Sequence, residues 1–574
     1  MSTDPANAHP DTGPPEPTGS GRAAARMTWL VVLNWSRFGV MLVLGLLIVP
    51  MMIGPFGVAM WGLFMLVALC RFPFQETIQP LLTRELASAW STGDEQTKRR
   101  AWSTGVAVSL LSAAVCAAIV AAALPMGMRF LSIPDGRRDD VFWLILLEGV
   151  TLVMMIAAGP WWNMTLATHR LVESNIHRLL ERGQDLIALV AALYLLPINP
   201  DQRFIAFLGG RLVLRMVHIA VCWLRVRAQE PLARTDWSLV DRGMMRHYSA
   251  AVGWSTSIPI SNQFFYMVDH VLFNLFFGAL FNGIYQITQQ LRAYSRILGG
   301  GISVGAEGIT ADLHGQGRHE ATKKLLLASM KLSSVLTCVC TALIAVFAGA
   351  LMQSWLGKQL AADQGLAAAG VSVDQAVALC WTFFLIMVPS ILVSEAGGAA
   401  LPILYGMGHL KKFAPALLIS TVAKLVLTWV VISSTTGGFD TRHVLLAAWV
   451  TLGVSVLMYA VYLPVVIKRA SGLRIRDQMV QVYLKPLLST VPIVGLGLLA
   501  ARVLGPWHPG LVSMAKLGAV CGLLGILFLP IAAVIVPEGQ ERQRVGGIIA
   551  RLLRKLPGLR ALEPTARRVW NVGV

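Results

Sequence analysis

Runs of about 20 apolar residues recur along the whole of this 574-residue chain. A helix needs about 20 consecutive apolar residues to cross the hydrocarbon core of a bilayer, and a buried helix of a soluble domain is usually shorter. Charged residues make up only 14% of the chain, whereas soluble domains carry roughly 25%. A β-barrel would show short alternating segments instead. The sequence therefore predicts an all-α polytopic membrane protein.

The apolar runs predict about fourteen transmembrane helices. Their approximate ranges are 29–50, 56–79, 101–123, 141–166, 178–197, 203–225, 248–276, 281–304, 324–352, 375–403, 412–433, 442–467, 485–504 and 511–536. We predict two six-helix lobes related by a pseudo-twofold axis, followed by two additional helices. The predicted parts are a disordered cytoplasmic tail over 1–27, the lobes over 28–230 and 231–470, the additional helices over 471–537, and a basic amphipathic cytoplasmic tail over 538–574.

Lysine and arginine are unevenly distributed between the two sets of predicted loops. With the N-terminus inside, the inner loops between helices hold 22 of them. The outer loops hold six, which are Arg129, Arg137, Arg138, Arg203, Lys358 and Arg442. Because cytoplasmic loops carry an excess of cations, both termini are predicted to be cytoplasmic, in the cell inner membrane. The net charge of +18 therefore reflects membrane topology, and we predict no nucleic-acid partner.

Ten further cations fall inside predicted spans. They are Arg37, Arg71, Arg211, Arg215, Arg292, Arg296, Lys331, Lys424, Arg502 and Lys516. A charged side chain at the bilayer centre costs at least about 2.5–3.5 kcal/mol, so it needs water, an anionic partner, or both. Two alternatives stay open: the cations line a chamber for an anionic cargo, or they form salt bridges between helices. The candidate salt-bridge partners are Glu76, Glu148, Asp185, Asp269 and Glu395.

Depth in the predicted spans separates the candidates. Arg37, Arg292 and Lys424 lie near mid-membrane, whereas Arg502, Lys331 and Lys516 lie closer to helix ends, where their long side chains can reach water. The predicted substrate-binding residues are Arg37, Arg71, Arg292, Arg296, Lys424, Arg215 and Arg211. A guanidinium group is always charged and binds phosphate through two parallel hydrogen bonds, which suits a pyrophosphate headgroup.

Acidic and thiol side chains within the spans give a second set of candidates. Asp269, Glu395 and Glu148 are predicted to bind Na⁺ or a proton and so to couple transport to an ion gradient, or else to serve as salt-bridge partners. The seven cysteines show no metal-ligand spacing and are interpreted as packing residues. No metal ligand, catalytic residue or other cofactor is predicted.

An internal repeat links the two predicted lobes. With an offset of 224 residues, Gly54 falls on Gly278 and Trp61 falls on Tyr285, and the cytoplasmic loops that follow also match. The copies are six helices apart, so they have the same topology. Parallel repeats of this kind place the substrate path between the halves.

Several segments resemble a known superfamily in their order and spacing. They are NWSRFGVMLVLGLLIVPMMIGPFGVAMWGLFML, LLTRELASAWSTGDEQTKRR, MVDHVLFNLFFGALFNGIYQITQQL, MQSWLG and LPILYGMGHLKKF. Over about residues 28–470 the chain resembles the multidrug/oligosaccharidyl-lipid/polysaccharide exporters, and most of all the O-antigen flippases. The resemblance implies fourteen helices, twelve of them in two six-helix lobes, together with alternating access and a cation-lined cavity. It places the seventh-helix aspartate of the family at Asp269.

The resemblance and the buried cations together predict a flippase for polyprenyl-pyrophosphate-linked oligosaccharide in cell-surface polysaccharide synthesis. The chain is expected to act as a monomer, with a polysaccharide polymerase as a possible partner. Peptidoglycan-precursor flippases carry a larger arginine cluster in their first two helices than Arg37 and Arg71 supply. The alternatives are an ion-coupled drug or small-metabolite antiporter and, more remotely, a membrane glycosyltransferase or ligase, for which no long catalytic loop is present.

Overall fold

The computed structural model describes residues 19–538 and residue 543, apart from 169, 247, 249–256, 304–305, 307–309, 311–312, 315 and 435–440. Nearly all of this part is helical, and no β-strand occurs in it. The fold class predicted from the apolar runs is therefore confirmed. The predicted basic tail lies almost entirely outside the described residues, as does most of the predicted N-terminal tail.

Fourteen α-helices of seven or more residues are found in the described residues. They are α1 (Gly19–Thr92), α2 (Glu95–Phe130), α3 (Arg138–Ala157), α4 (Gly159–Ala167), α5 (Leu171–Val190), α6 (Arg203–Gln229), α7 (Ser257–Ser303), α8 (His319–Ala361), α9 (Val373–Gly398), α10 (Leu410–Ser433), α11 (Thr441–Ser455), α12 (Leu463–Ser471), α13 (Lys485–Leu504) and α14 (Leu511–Ile535). Three π-helical segments, Ala191–Leu195, Val456–Tyr462 and Gln478–Leu484, adjoin α5, α12 and α13.

Two of these helices each contain two of the predicted spans. α1 turns sharply at Gly57 (φ 85°, ψ 164°) and α7 at Gly278 (φ 86°, ψ 172°), and both angles lie in a region that L-residues with a side chain rarely adopt. α1 therefore holds predicted helices 1 and 2, and α7 holds predicted helices 7 and 8. The predicted helix 4 is broken into α3 and α4, and helix 12 into α11, a π-helical segment and α12.

Eleven stretches of helix in the described residues are long and apolar enough to cross a membrane. Each kinked helix contributes one such stretch, although it holds two predicted spans. α5 contributes none because it is too polar. These differences account for the gap between eleven stretches and fourteen predicted spans. The protein is a multi-span membrane protein.

Several predicted boundaries were wrong. α1 begins at Gly19 rather than near residue 29, so that the helix includes the end of the predicted disordered tail. α2 runs on to Phe130 through Pro125, where the prediction ended helix 3 at residue 123. α5 begins at Leu171, whereas its predicted start was residue 178.

The polarity of α5 explains its late predicted start. Its first turns include Glu173, Ser174, His177 and Arg178, which break the apolar run on which the prediction depended. A second set of side chains, Val172, Ile176, Leu180 and Ile187, is exposed at the outside of the bundle. In a membrane protein such an apolar face meets lipid, so α5 turns its polar face inward, opposite to a helix in a soluble protein.

The two kinks correct the register of the internal repeat. Gly57 and Gly278, which share the same backbone conformation, are 221 residues apart rather than 224. The offset of 224 does hold at the next helix, because α2 begins at Glu95 and α8 at His319. The sequence match across the kink was therefore displaced by three residues, and the true counterpart of Gly278 is Gly57 rather than Gly54.

The largest apolar cluster lies around the two kinks and joins both halves. From the first half it includes Val49, Met52 and Leu63, and from the second half Phe273 and Leu291, all fully buried. α1 and α7 pack against each other along much of their length. Away from the kinks, the Trp35 indole N–H donates to the Leu298 carbonyl at 3.2 Å. These contacts hold the halves together along the α1–α7 line.

Candidate functional site

Six of the seven predicted substrate-binding cations are at most 7% exposed, and the side chain of the seventh, Arg296, is 33% exposed. They fall into three places in the bundle. One cluster lies within the first half, a second lies within the second half, and Arg37 stands on α1 beside α5. The three places differ in how their cations are neutralised, because each has a different number of acidic side chains beside it.

The cluster of the first half contains three buried arginines and three acids. Its members are Arg71, Arg211, Arg215, Glu148, Glu181 and Asp185. Arg211 Nε lies 2.6 Å from Asp185 Oδ1 and also pairs with Glu148, which lies 3.4 Å from Arg71 Nη1. Arg215 Nη1 lies 3.4 Å from Glu181 Oε1. The three buried arginines and the three acids balance in charge, and the half-exposed Arg182 lies beside Asp185 as an additional cation.

Asp269 is the centre of a second buried group, in the second half. Lys424 Nζ lies 2.9 Å from Asp269 Oδ2 and also donates to the Phe265 carbonyl. The Tyr285 hydroxyl donates to the same carboxylate oxygen at 2.7 Å, and the Thr451 hydroxyl at 3.2 Å. The other oxygen, Asp269 Oδ1, is buried and has no hydrogen-bond partner among the residues that the structure describes. Asp269 is therefore paired, but it keeps one free acceptor.

Tyr266 brings the remaining cations of the second half together. The Arg292 guanidinium carbon stands 3.6 Å from the centre of the Tyr266 ring, and that of Arg296 stands 5.8 Å from it. Arg296 pairs with Glu395. Lys424 Nζ also lies 5.8 Å from the same ring. The Tyr266 ring thus lies within cation–π distance of three cations, while two acids among the described residues, Asp269 and Glu395, neutralise them.

Arg292 is the cation of this second group that has no acidic partner among the described residues. It is 3% exposed, and its one hydrogen bond within the described residues goes from Nη1 to Gln289 Oε1 at 3.0 Å. The other two nitrogens, Nε and Nη2, are buried and have no hydrogen-bond partner in the described part of the chain. No carboxylate lies within ion-pair distance of Arg292 in the described part of the chain. An uncompensated buried guanidinium with two free donors is the electrostatic signature of a site for an anion.

Arg37 resembles Arg292 in lacking an acidic partner among the described residues. Its Nη1 donates to the Asn175 side-chain oxygen at 2.9 Å, its Nε is buried without a partner, and its guanidinium stands 4.7 Å from the Phe38 ring centre. The nearby cation Arg178 adds a second positive charge. Asn175 and Arg178 lie one helical turn apart on α5, so this helix presents polar groups to α1.

Sequence analysis missed this face of α5. Asn175, Arg178 and Glu181 were outside the predicted site because the predicted helix 5 began at residue 178 and its first residues were assigned to a loop. The i, i+3 spacing of Asn175 and Arg178, continued by Arg182, was the available signal. Arg182 is about half exposed, and its Nη1 lies 3.6 Å from Asp185 Oδ2. The positive charge beside Arg37 therefore comes largely from α5, whose first turns the apolar-run criterion did not recognise as helix.

The predicted site residues divide into those with and those without an acidic partner among the described residues. Five of the seven, Arg71, Arg211, Arg215, Arg296 and Lys424, have acidic partners of the kind left open as the alternative. Glu148, Asp269 and Glu395, the predicted coupling acids, are among those partners. Arg37 and Arg292 lack one. The side chain of Glu76 lies outside the described residues.

The kink end of the bundle is closed by contacts between the halves. Asp363, in the connection between α8 and α9, accepts a hydrogen bond from the backbone N–H of Val58 at 2.7 Å, directly after the α1 kink. Asn274, just before the α7 kink, accepts one from the N–H of Ser132 at 2.9 Å, in the connection between α2 and α3. The charge bias of the loops predicts that this end faces outward.

Comparison with known proteins identifies the fold. No family model matches the chain, and no curated protein matches it. An inward-facing MATE multidrug resistance transporter of the MOP superfamily superposes with a TM-score of 0.56 at 13% identity, over 76% of this chain and 95% of its own. The lipid II flippase MurJ in an inward closed conformation superposes with a TM-score of 0.57 at 10% identity, over 88% of this chain and 97% of its own.

A third structure comes from Pyrococcus furiosus. It is a MOP-superfamily transporter described as having a binding pocket of reverse polarity that suggests a different function, with a TM-score of 0.52, 12% identity, and coverage of 76% of this chain and 94% of its own. At these identities the likeness shows the fold alone. The chain has the fold of MOP-superfamily transporters, and its solved structural neighbours include multidrug transporters and a flippase for a lipid-linked substrate.

Proposed function

We propose that this protein is a flippase that moves polyprenyl-pyrophosphate-linked oligosaccharide across the inner membrane. The observation that carries the proposal is the state of Arg292, a buried guanidinium with two unpartnered N–H donors and no carboxylate partner among the described residues. Leaving such a charge uncompensated in a membrane is costly, and a bound pyrophosphate would remove that cost. The uncompensated charge of Arg292 thus favours an anionic cargo over the organic cations that drug exporters carry.

Arg37 and Arg292 would both bind the pyrophosphate headgroup. Arg37 belongs to the first half, with Arg178 nearby, and Arg292 belongs to the second half. Each guanidinium can hold a phosphate through two parallel N–H···O bonds. A headgroup held between the halves would cross the membrane as they rock, while its polyprenyl chain stays in the lipid. The hydrogen bonds of Val58 and Asn274 close the end beside the kinks, which is predicted to face outward.

Asp269 supplies the proposed link to an ion gradient. Its Oδ1 is buried and unpartnered, so it can accept a proton or ligate Na⁺ without breaking the bond from Lys424 to Oδ2. Glu395 and Glu148 are the other acids proposed for coupling. They pair with Arg296 and with Arg71 and Arg211, respectively. Binding of a cation at any of the three would weaken a salt bridge that holds two helices together.

The test is export by variants in cells that depend on this protein. Arg292→Ala should lower export of the lipid-linked sugar by at least tenfold, with build-up in the cytoplasmic leaflet. Arg292→Lys should recover only part of it, because an ammonium group binds phosphate as a point charge. Arg502→Ala, at an exposed position near the end of α13, is the matched control and should export normally. Full export by an Arg292→Ala protein that reaches the membrane would remove Arg292 from the site.

One observation favours a second candidate, an ion-coupled antiporter for drugs or small metabolites. Asp269 joins a buried lysine, a tyrosine and a threonine around one carboxylate, an arrangement suited to cation binding without any lipid-linked cargo. Purified protein in vesicles distinguishes the two. An antiporter would exchange a small solute for Na⁺ or protons in the absence of polyprenyl lipid, whereas the flippase would move only the lipid-linked sugar.

A further inference from the structure

A group of metal-binding side chains lies in the first half, between α4, α5 and α6, apart from the arginine clusters. His177 on α5 and His218 and Cys222 on α6 are all buried, and one donor atom from each lies within 4.8 Å of the other two. His177 Nδ1 is 2.9 Å from His218 Nε2 and 3.6 Å from Cys222 Sγ. We propose that these three side chains bind a thiophilic transition-metal ion of the Zn²⁺ class, which ties α5 to α6.

The spacing on α6 brings two of the ligands to one face. His218 and Cys222 are four residues apart, so their side chains lie one above the other on the helix. The spacing of the cysteines alone gives no sign of this site, because the other ligand on α6 is His218, one helical turn before Cys222. His177 completes the set from the neighbouring helix, and it is the inward-facing polar side of α5 that points it there.

The distances between donor atoms fit a small metal ion. Zinc binds histidine nitrogen at about 2.0–2.1 Å and thiolate sulfur at about 2.3 Å, in tetrahedral geometry, so a nitrogen and a sulfur ligand lie roughly 3.6 Å apart. The distance from His177 Nδ1 to Cys222 Sγ is 3.6 Å. The two nitrogens are closer, at 2.9 Å, and need to separate by a few tenths of an ångström. Two nitrogens and one sulfur suit Zn²⁺ or another ion that accepts soft ligands.

Surrounding groups orient the ligands. Glu173 Oε1 lies 3.8 Å from His177 Nε2, the ring nitrogen that does not contact His218, and Arg225 Nη1 lies 2.9 Å from the same carboxylate oxygen. A carboxylate on the far nitrogen of a histidine fixes its tautomer and raises its basicity as a ligand. The Trp162 ring packs against both imidazoles, with centroid distances of 5.7 and 5.0 Å. It limits how far the two rings can rotate.

An access path leads to the site from the surface. A cavity of about 440 Å³ is lined by His177 and the charged side chains Arg170, Glu173 and Arg225, and also by the apolar side chains Val172, Ile176, Leu180 and Val221. An ion can reach His177 along the charged side chains of this cavity. On binding, the Cys222 thiol releases its proton to solvent as the metal–sulfur bond forms, both histidines bind in their neutral form, and a water can occupy the fourth position.

The experiment uses full-length protein in detergent, free of any histidine tag and stripped of metal with a chelator. Addition of Co²⁺, a spectroscopic substitute for Zn²⁺, should give one ion per chain and a thiolate-to-cobalt absorption band in the near ultraviolet. Cys222→Ser should abolish the band, and His218→Gln should weaken binding by at least tenfold. Cys116→Ser is the matched control, because Cys116 is buried in a separate apolar cluster of the same half, and it should keep the band.

A second measurement, made on the wild-type protein, tests the proposal even if the variants fail to fold. In the wild-type protein, Zn²⁺ should protect Cys222 from alkylation, as read by mass spectrometry, and should leave Cys116 unaffected. A chelator should remove the protection and lower the unfolding temperature. Absence of both the cobalt band and the protection, or their persistence in Cys222→Ser and His218→Gln proteins, would overturn the proposal. The 2.9 Å contact would then be only a hydrogen bond between two neutral histidines. Neither readout involves transport, so failure here leaves the proposed function untouched.

Discussion

Gly62 and Gly283 meet backbone to backbone where α1 crosses α7. A Cβ atom on Gly62 would lie 2.5 Å from the Gly283 nitrogen and 3.0 Å from the Ala279 carbonyl oxygen, and one on Gly283 would overlap the Val58 carbonyl. The contact is reciprocal, because an offset of 221 residues carries Gly62 onto Gly283 and Val58 onto Ala279. It therefore marks the pseudo-twofold axis between the lobes, and the absence of side chains allows the helices to approach so closely.

Replacement of Gly283 by alanine should force the two helices apart. The new methyl group would meet backbone, which cannot rotate away, and overpacking of this kind costs about 1–3 kcal/mol. Thermal unfolding in detergent should report the loss, together with reduced transport. Gly300→Ala on the same helix is the control, since a Cβ there meets nothing within 4 Å. Equal effects of the two substitutions would show that the close approach is unimportant.

Replacement of Asp363 by alanine should loosen the closed end of the bundle. Asp363 accepts hydrogen bonds from the Val58 N–H at 2.7 Å and the Leu366 N–H at 2.8 Å, so the variant leaves both donors without this partner. Loss of such a cap costs about 1 kcal/mol. A cysteine introduced near Gly57 should then react faster with a water-soluble thiol reagent. Asp374→Ala, at an exposed position in the first turn of α9, should leave the reaction rate unchanged.

Neutralising Asp269 alone should destabilise the protein, whereas neutralising both partners of its pair should not. Asp269→Asn leaves the buried Lys424 ammonium without a counter-charge, a change that costs about 3–5 kcal/mol. The double variant Asp269→Asn/Lys424→Met should recover most of this stability, as measured by thermal unfolding. If Asp269 also couples transport, the double variant will fold but lose dependence on the ion gradient. Recovery of both properties would make the pair purely structural.

Within the buried arginine–acid cluster of the first half, loss of one arginine should be severe. Arg211→Met leaves Glu148 and Asp185 short of a counter-charge and should cost about 3–5 kcal/mol in unfolding experiments. Arg182→Met, half exposed beside the same Asp185, should cost at most about 1 kcal/mol because solvent screens the pair. A mild effect of Arg211→Met would mean that water reaches this cluster and that its charges are available to a ligand.

Hydropathy and charge determined a large part of this protein. Apolar runs of sufficient length must cross a membrane as helices, because each helix satisfies its own backbone hydrogen bonds. The helical class, the number of spans and the existence of a repeat therefore followed from local sequence. The predicted start of α5 was wrong because a helix with a polar face turned inward has no long apolar run.

The partners of the buried cations could be decided only by the tertiary structure. Depth along a helix can be counted from sequence, but the side chains that meet across helices depend on rotation and lateral position. Lys424 and Arg292 looked equivalent in the sequence, yet Lys424 has a carboxylate 2.9 Å away, whereas Arg292 has none among the described residues. Likewise, His177 reaches His218 and Cys222 only because α5 and α6 pack side by side. Coulomb attraction and metal coordination act over a few ångströms. The packing of the helices decides which side chains come that close, and the order of residues along the chain does not.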